Sequence, residues 1–352
     1  MAMYVMGVDA GGTKTRCMIC DEKEHIVGRG EAGAAQHQMY GIAQTKENLT
    51  LAVERALTQA KLCLSDISYA VLGMSGADGE DDFALLIPTV GEVLLDVPYE
   101  VLHDSWIGLR AALGGAAEGP TESGAAEGSA AGEPTESGAA EGRTADGCPA
   151  GNGERKGVIE GVVSICGTGA AHAGMNGRGE RLTLRNLDYI TGNCGGGAEL
   201  CERALHYAFR SEEGTYDKSL LEELIPPVFG VKTMEEVCGL IKNDGPNEKQ
   251  RYSIPIVVFE AAKRGDAVAA KLLSDMGREE GRYAAAVIKR LEMTEKKVPV
   301  VLIGSLFQTG ERLLIDAYME QVHRAAPQAY PVILKEEPVL GAVRFALDKM
   351  VR

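Results

Sequence analysis

Two glycine-rich turns that contain threonine, each placed between two apolar runs, constrain the fold more than any other feature. The first lies in VMGVDAGGTKTRCMICD, residues 5–21, and the second is the GTG that follows the apolar run 157–166. A polar turn between two short apolar runs is typical of two strands joined by a tight connection. Two such units predict a chain with two similar halves that face each other.

The residues of the first turn are suited to holding a phosphate group. Gly11 and Gly12 let the backbone turn sharply and bring its N–H groups close to a ligand. Thr13 and Lys14 add a hydroxyl and a cation, and Asp9 is placed to carry the Mg²⁺ that accompanies a nucleotide. A hairpin turn with a solvated lysine is the alternative interpretation of this stretch.

Composition and charge narrow the class of protein. The 352-residue chain has 45% hydrophobic and 25% charged residues, which is ordinary for a globular protein of about two domains. Its formal net charge of −15 argues against nucleic acid or an anionic membrane as a partner, because either would be repelled. We recognise no signal peptide and no apolar run long enough to span a bilayer, so we expect a cytoplasmic protein with reduced thiols.

The spacing of the cysteines does not indicate a metal site. Of the eight cysteines, Cys17 and Cys20 are the closest pair, and both lie in the predicted second strand. Strand residues at this spacing point to opposite faces of the sheet, so these two thiols would not bind one metal ion together.

Residues 114–155 have the composition of a loop. They are mainly Gly, Ala, Glu, Ser, Thr and Pro, and the sequence PTESGAAEG at 120–128 recurs at 134–142. Such a stretch cannot bury enough apolar surface to offset the entropy lost when it is ordered. We therefore expect an acidic low-complexity loop inserted in the second domain.

Outside that segment, strand and helix signals alternate, which predicts an α/β fold. The expected strands are 3–8, 15–20, 26–31, 69–74, 99–102, 157–166 and 170–175. The expected helices are 45–64, 83–95, 106–113 and 339–350.

A set of motifs follows this pattern along the chain. The motifs are GVDAGGTKT at 7–15, SGAD at 75–78, HDS around Asp104, CGTGAA at 166–171, GNCGGGAEL at 192–200, LIGSLF at 302–307 and EPVLGAVRFAL at 337–347. Together they resemble the BadF/BadG/BcrA/BcrD ATPase family, in particular its N-acetylglucosamine kinase branch. That family belongs to the actin-like, sugar kinase and heat-shock protein 70 superfamily.

The resemblance implies two actin-like (ribonuclease H-like) domains with an ATP cleft between them. It implies an N-terminal domain of residues 1–103, completed by the C-terminal helix 338–352, and a C-terminal domain of residues 104–337. It also implies ATP and Mg²⁺ as cofactors, with Asp9 orienting the Mg²⁺ and its waters. The implied nucleotide contacts are Gly11, Gly12, Thr13, Lys14, Gly167, Thr168, Gly169, Gly195, Gly196, Gly197, Gly304 and Ser305.

The resemblance assigns Asp104 as the base that accepts the proton of the attacking sugar hydroxyl. An N-cap of the helix near Trp106 is the alternative role for this aspartate. The implied substrate contacts are Gln36, His37, Ser75, Gly76, Asp104 and Asn193. For His37, a histidine in a surface loop is the alternative interpretation.

The chain departs from the family pattern at residues 192–197. Where the family commonly reads GDEGSG, this sequence reads GNCGGG, so Asn193 and Cys194 replace two carboxylates. An asparagine can hydrogen-bond to a hydroxyl but carries no charge. The nucleotide site is therefore expected, whereas the acceptor sugar is left open.

Three functions compete. The first is an ATP-dependent kinase for a hydroxyl of an amino sugar or of an N-acetylated hexosamine such as N-acetylglucosamine. The second is an ATPase that activates a CoA-ester dehydratase or reductase through a dimer-bridging iron–sulfur cluster, with Cys166 and Cys194 as its candidate ligands. The third, a sugar-responsive repressor, is disfavoured because few residues precede the first strand. We expect a small-molecule sugar substrate and no nucleic-acid or membrane partner, and the resemblance allows a homodimer.

Overall fold

The structure is a computed structural model that describes residues 3–113, 159–186, 189–243 and 248–350. The acidic segment 114–155 lies outside the described residues. Within the described ranges, no helix has both the length and the hydrophobicity needed to cross a bilayer.

The first half of the chain forms a five-stranded sheet in the order β3-β2-β1-β4-β5. Its strands are β1 (Tyr4–Ala10), β2 (Thr15–Asp21), β3 (Ile26–Ala32), β4 (Ile67–Met74) and β5 (Tyr99–His103). Strands β1, β2 and β3 are antiparallel neighbours, whereas β4 and β5 run parallel to β1. The helices of this half are α1 (His37–Ala60) and α2 (Glu80–Leu94), with a 3-10 turn at Leu64–Asp66, and α3 (Asp104–Ala112) follows β5.

The second half repeats this topology. Its sheet has the order β10-β9-β6-β7-β8 and contains β6 (Gly161–Cys166), β7 (Ala170–Met175), β8 (Arg181–Thr183), β9 (Pro299–Ile303) and β10 (Tyr330–Ile333). Strands β6, β7 and β8 are antiparallel neighbours, and β9 and β10 run parallel to β6. The prediction of two similar halves is therefore confirmed at the level of strand order and direction.

Most helices of the second half lie between β8 and β10 in the chain. They are α4 (Gly196–Glu212), α5 (Leu221–Leu224), α6 (Met234–Asn243), α7 (Glu248–Arg251), α8 (Ile254–Lys263), α9 (Ala267–Arg290), α10 (Ser305–Gln308) and α11 (Arg312–Ala325), with 3-10 turns at Tyr189–Thr191 and Pro226–Phe229. Helices α9 and α11 pack against each other along most of their length. Gly277 and Gly281 permit this, because a Cβ at either position would meet a backbone carbonyl oxygen of α11.

The last helix, α12 (Val339–Met350), returns to the first sheet and packs against β1, β4 and α3. A Cβ on Gly7 would lie 2.7 Å from the Val343 nitrogen, so only glycine allows this approach of β1 to α12. One hydrophobic cluster joins residues of both sheets with α3 and α12, and it includes Val71, Ile107 and Val301. Helix α3 therefore belongs to the contact between the two halves.

Most predicted elements are present with small shifts, but the first helix differs from its prediction. The pattern 45–64 predicts a helix from Thr45, whereas α1 begins at His37, has a kink at Gly41 (φ 80°) and ends at Ala60. The first residues of α1 are largely exposed, and they include the apolar side chains of Met39 and Tyr40, so they lack the periodicity that marks the rest of the helix. The prediction of its start is therefore wrong.

The two cysteines of β2 lie on opposite faces of the sheet. Cys17 packs in the cluster beneath α1 and α2, and Cys20 packs in the cluster that contains α3 and α12. The prediction that they cannot share a metal ion is confirmed.

Candidate active site

The first glycine turn is closed by its own backbone and covered by side chains of α1. The Gly11 N–H donates to the Lys14 carbonyl at 3.0 Å, and the Tyr40 hydroxyl donates to the Gly12 carbonyl at 3.2 Å. A Cβ on Gly12 would lie 2.9 Å from Gln36 Oε1. The turn thus lies directly against the N-terminal end of α1.

Gln36 also contacts the turn that contains SGAD. Gly76 has a φ of +82°, and a Cβ there would lie 3.4 Å from Gln36 Cγ. Ser75 continues the end of β4, and its N–H donates to the Ala10 carbonyl at 2.9 Å. The structure therefore brings Gly12 of the predicted nucleotide turn together with Gln36 and Gly76 of the predicted sugar site.

Two carboxylates approach each other at the C-terminal ends of β1 and β5. Burial, and next the charge of Asp104, raises the pKa of Asp9 to about 7, and the opposing charges of Arg16 and Lys14 do not cancel this rise. When two nearby negative charges raise a pKa in this way, a bound divalent cation offsets the repulsion between them. Mg²⁺ keeps several waters and needs few protein ligands, so the donor set around Asp9 fits it.

Asp104 lies in the first turn of α3, and the residue before it caps the helix. His103 is the N-cap, and its Nδ1 accepts a hydrogen bond from the Ser105 N–H at 3.1 Å. The alternative that Asp104 is the cap is therefore wrong. His103 Nδ1 also lies 3.1 Å from Asp104 Oδ1, and His103 Nε2 lies 3.1 Å from Asp78 Oδ1. The histidine fixes the position of Asp104 relative to the SGAD turn.

His37 is tied to the start of α2. Its Nε2 lies 2.9 Å from Asp82 Oδ1, and its side chain is only 7% exposed, so the interpretation of a surface loop histidine is wrong. Nδ1 of His37 is buried without a hydrogen-bond partner among the described residues. Gln38 Nε2 donates to the Gly76 carbonyl and to Asp82 Oδ1, each at 3.2 Å. These contacts connect α1, α2 and the SGAD turn.

The second glycine turn accepts hydrogen bonds from the start of α4. The Gly197 N–H donates to the Gly167 carbonyl at 2.7 Å, and the Ala198 N–H donates to the Thr168 carbonyl at 2.9 Å. Within the turn, the Gly167 N–H donates to the Gly169 carbonyl at 2.9 Å. Two N–H groups in the first turn of α4, those of Gly197 and Ala198, are therefore used on protein carbonyls and are not available to a phosphate.

Two further glycines make this approach possible. Gly196 has a φ of +81°, and a Cβ there would lie 2.6 Å from Gly169 Cα. Gly304 has a φ of +104°, and a Cβ there would overlap the Cys166 carbonyl. The three glycine segments of the second half consequently stack backbone against backbone.

A cavity of about 590 Å³ opens beside this stack. Its lining is Gly167, Thr168, Gly197, Tyr252, Pro255, Ile256, Phe259, Glu260, Lys263, Ser305, Leu306 and Thr309. Predicted residues from three separate motifs thus meet in one cavity. The other wall of the cavity is formed by α8 and by Tyr252, which precedes the N-cap of that helix, and it is mostly apolar. The sequence analysis does not predict this wall.

A signal for that wall does exist in the sequence. The run IPIVVF at 254–259 is apolar on every face of a helix, and in the structure Ile256 is 69% exposed although its neighbours Val257 and Val258 are buried. An apolar side chain exposed at the edge of a cavity is typical of a site for a flat apolar ligand group.

Asn193 and Cys194 lie beside this site but do not line the cavity. Asn193 Nδ2 donates to the Ala170 carbonyl at 3.2 Å and to Asn186 Oδ1 at 2.6 Å. The Cys194 N–H donates to the Tyr283 hydroxyl at 3.1 Å, and the Cys194 thiol lies 3.0 Å from the same oxygen. The residues that replace the acidic pair are therefore held by neutral hydrogen bonds.

Comparison with known proteins identifies the family. The family model of the BadF/BadG/BcrA/BcrD ATPase family matches residues 6–84 and 142–346. The chain belongs to this family. The fold is the two-domain actin-like fold that sugar kinases share.

Two curated relatives match nearly the whole chain. An N-acetylmuramic acid/N-acetylglucosamine kinase from Clostridium acetobutylicum is 23% identical over 343 residues, which cover 97% of this chain and 98% of the relative. An N-acetyl-D-glucosamine kinase from Dictyostelium discoideum is 23% identical over 361 residues and covers 97% of each chain. A crystal structure from Chromobacterium violaceum, provisionally named as an N-acetylglucosamine kinase, superposes with a TM-score of 0.65 at 21% identity and covers 98% of this chain and 99% of the other.

Proposed function

We propose that this protein is an ATP-dependent kinase that phosphorylates a hydroxyl of an amino sugar or an N-acetylated hexosamine such as N-acetylglucosamine. The observation that carries the proposal is the pair of carboxylates, Asp9 and Asp104, whose charges interact beside the first glycine turn. One would hold a cation and the other would accept a proton, and phosphoryl transfer needs both. The names of the two curated relatives support the sugar class.

The cavity beside α8 suits the adenine and ribose of ATP. Its apolar wall, Ile256 and Phe259, would stack on the base, and Ser305 with Lys263 would remain near the polar groups of the nucleotide. Thr168 at the edge of the cavity would contact the phosphates. The first turn, with Thr13 and Lys14, would contact them from the other half.

Mg²⁺ would be held by Asp9 together with water and the ATP phosphates. When bound, the ion neutralises the charge that develops on the transferred phosphoryl group. Asp104 would accept the proton of the sugar hydroxyl, with His103 and Asp78 holding its side chain in place.

The sugar would lie near the SGAD turn. His37 has a buried Nδ1 that is unpaired within the described residues, and Gln36 lies between Gly12 and Gly76. The Gln36 amide would hydrogen-bond to a sugar hydroxyl, and the His37 ring would have to move before its buried Nδ1 could contact one. Ser75 and Asn193 complete the proposed contacts. Glutamine at position 36 and neutral residues at 193 and 194 would set which sugar is accepted.

The proposed domains are residues 1–103 with 338–352, and residues 104–337, and a homodimer remains part of the proposal. The alternative of an iron–sulfur activator has less support. Cys166 is fully buried, and the Cys194 thiol contacts Tyr283, so neither is free to bind a cluster.

A coupled assay of ADP release tests the function. Purified protein with Mg-ATP is screened against N-acetyl sugars, amino sugars and simple hexoses, with and without EDTA. We expect turnover with an N-acetylated hexosamine or an amino sugar, and its loss when EDTA removes Mg²⁺. The phosphorylated product is then identified by mass spectrometry. Sugar-independent ATP hydrolysis with no phosphorylated sugar in any reaction would contradict the proposal.

A further inference from the structure

A chain of buried polar side chains lies behind the second glycine turn. Ser164 Oγ lies 2.6 Å from the Tyr318 hydroxyl and 2.9 Å from His172 Nδ1. His172 Nε2 in turn lies 3.1 Å from Glu280 Oε2. All four side chains are buried, and Glu280 is 0% exposed. Burying a polar group in a core costs free energy unless it has a hydrogen-bond partner, so four such groups in one place call for an explanation.

The hydrogen bonds of this chain can all run in one direction. The Tyr318 hydroxyl donates to Ser164 and the Ser164 hydroxyl donates to His172 Nδ1, which leaves the proton of His172 on Nε2, 3.1 Å from Glu280 Oε2. The Cys166 thiol lies 3.6 Å from Glu280 Oε1 and donates to it. Burial, and next the charge of Glu280, raises the pKa of Cys166 well above its ordinary value, so this thiol remains a donor.

The last pair in this row of buried side chains, His172 and Glu280, is joined by a single contact. Neither His172 Nε2 nor Glu280 Oε2 has a well-aligned hydrogen-bond partner among the residues that the structure describes. Each atom therefore relies on the other at 3.1 Å. Removing either group would leave the other buried and unpaired.

Glu280 supports the loop before α4 from behind. A Cβ on Gly195, the N-cap of α4, would overlap Glu280 Oε1, so the carboxylate packs directly against the Gly195 backbone. One turn further along α9, the Tyr283 hydroxyl accepts from the Cys194 N–H at 3.1 Å and donates to the Gly192 carbonyl at 2.9 Å. One face of α9 thus holds residues 192–195.

This support reaches the cavity through α4. Two and three residues after Gly195, the N–H groups of Gly197 and Ala198 donate to the carbonyls of Gly167 and Thr168. A carboxylate near the N-terminal end of α4 also interacts favourably with the helix dipole. The position of the turn that lines the cavity therefore depends on a carboxylate that lies outside the cavity lining.

We propose that Glu280 is a positioning residue for the nucleotide, which holds the turns 167–169 and 195–197 in the geometry that binds ATP. His172, Ser164 and Tyr318 hold its carboxylate in place. The inference rests on the proposed kinase function, because it assigns the cavity to ATP. It predicts that changes in these buried side chains affect ATP more than the sugar, because Gln36, His37 and Ser75 lie in the first half and the Asn193 amide has its own hydrogen bonds to Ala170 and Asn186.

The test compares Glu280→Gln with Glu279→Gln. The first variant keeps the shape but turns one of the two carboxylate oxygens into an amide N–H₂, which then faces the donor of either His172 or Cys166. The second changes the neighbouring, partly exposed glutamate of the same helix and serves as the control. We expect Glu280→Gln to raise the KM for ATP and the Kd for Mg-ADP by about tenfold, which corresponds to a loss of about 1.4 kcal/mol in binding free energy. The KM for the sugar should change by less than about twofold.

Hydrogen exchange provides a readout that a general loss of stability would not give. Under native conditions, the amides of Gly197 and Ala198 should lose protection in Glu280→Gln, while the amides of β1 and β2 keep theirs. If Glu280→Gln does not fold, Tyr318→Phe is the second variant. It keeps the Glu280 carboxylate and removes only the Tyr318 hydroxyl, which contacts Ser164 at the other end of this row of side chains. That variant should raise the KM for ATP by about twofold to threefold.

The outcomes separate the two hypotheses. A wild-type protein that binds neither Mg-ATP nor Mg-ADP contradicts the proposed function itself. A wild-type protein that binds Mg-ADP, with a folded Glu280→Gln that binds it equally well, overturns only the role of Glu280. Equal rises in the KM values for ATP and sugar also overturn it, because they indicate a general effect on the fold.

Discussion

The two glycine-rich turns, residues 11–14 and 167–169, differ in what holds them in place. Side chains cover the first turn, because Gln36 lies against Gly12 and the Tyr40 hydroxyl donates to the Gly12 carbonyl. Backbone covers the second turn, since α4 donates two hydrogen bonds to it and Gly196 lies against Gly169.

This difference indicates how each turn responds to a ligand. A side chain such as Gln36 can rotate when a phosphate or a sugar arrives, so the first turn can adjust at small cost. Stacked backbone segments cannot move without breaking hydrogen bonds, so the second turn is a fixed surface, which in the proposed function faces the nucleotide. We therefore expect a substitution at the second turn to lower the free energy of unfolding more than a substitution at the first turn.

The largest effect is expected in the first half, at the proposed base. Asp104→Asn keeps the shape and leaves the cap of α3 to His103, but it removes the proton acceptor. We expect turnover to fall by roughly 10²- to 10⁴-fold while the Kd for Mg-ADP is little changed. Glu80→Gln, an exposed first-turn acid of α2, is the control and should keep full activity. Near-normal turnover of Asp104→Asn would show that this carboxylate is not the base.

Alanine at Gly12 of the first turn and at Gly196, which packs against the second turn, tests the comparison directly. In Gly196→Ala, the new Cβ would lie 2.5 Å from the Gly169 carbonyl carbon at a φ of +81°, so we expect a loss of about 3 kcal/mol or more in the free energy of unfolding. In Gly12→Ala, the new Cβ meets only the end of the Gln36 side chain, and the loss should be about 1 kcal/mol or less. Urea unfolding measures both. Equal losses would mean that the two turns are equally rigid.

The sequence predicts the parts of this structure that depend on local pattern. Strands β1, β2 and β4, and the whole of α12, lie within a few residues of their predicted positions, because buried apolar runs and helical periodicity mark them. The glycine turns are predicted for the same reason, since a Gly-Gly or Gly-Thr-Gly between apolar runs has few other uses. The meeting of Gly167, Gly197 and Ser305 in one cavity follows from the family resemblance.

The remaining features depend on distant parts of the chain. In the sequence, the apolar residues of α8 have the pattern of a buried helix. In the structure, α4 and α9 pack against other faces of α8, and Ile256 stays exposed. His103 and Glu280 have no local signal, because their partners Asp78 and His172 lie in other elements. The start of α1 lacks periodicity because its first residues lie at the site and not in the core.

Asp9 should show a conflict between stability and function. Its pKa is raised to about 7, above the ordinary 3.8, so its contribution to stability is fully present below about pH 3.8 and is lost as the pH rises to about 7. Asp9→Asn removes that charge, and we expect it to be more stable than the wild type by on the order of 2 kcal/mol at about pH 8. The difference should shrink at about pH 5. Urea unfolding at the two pH values checks this.

The same variant should lose magnesium-dependent turnover, because a neutral amide is a poor partner for a hydrated divalent cation. A titration of activity with Mg²⁺ measures this loss, with Asp81→Asn as a control at an exposed carboxylate. Asp9→Asn with an unchanged Mg²⁺ requirement would remove Asp9 from the cation site. A second-half variant such as Glu280→Gln should keep the Mg²⁺ dependence of the wild type.

The smallest effect is expected at Asp82, which joins α1 to α2 in the first half. Burial on its own raises the pKa of Asp82, but hydrogen bonds from Gln38 and His37, and then from the Gly79 backbone, outweigh it and lower the pKa. The stability that Asp82 contributes is therefore present above the ordinary pKa of 3.8 and is lost as the pH falls through the lowered value. Asp82→Asn should cost about 1 kcal/mol in the free energy of unfolding at pH 7.

That cost should shrink in acid, since the wild-type carboxyl then becomes neutral as well. Because Asp82 anchors His37, we also expect Asp82→Asn to raise the KM for the sugar by a few-fold and to leave the KM for ATP unchanged. For Glu280→Gln we expect the opposite, a raised KM for ATP and a nearly unchanged KM for the sugar. Asp81→Asn again serves as the control. If both Asp82→Asn and Glu280→Gln changed the same KM, the assignment of sugar to the first half and ATP to the second would be wrong.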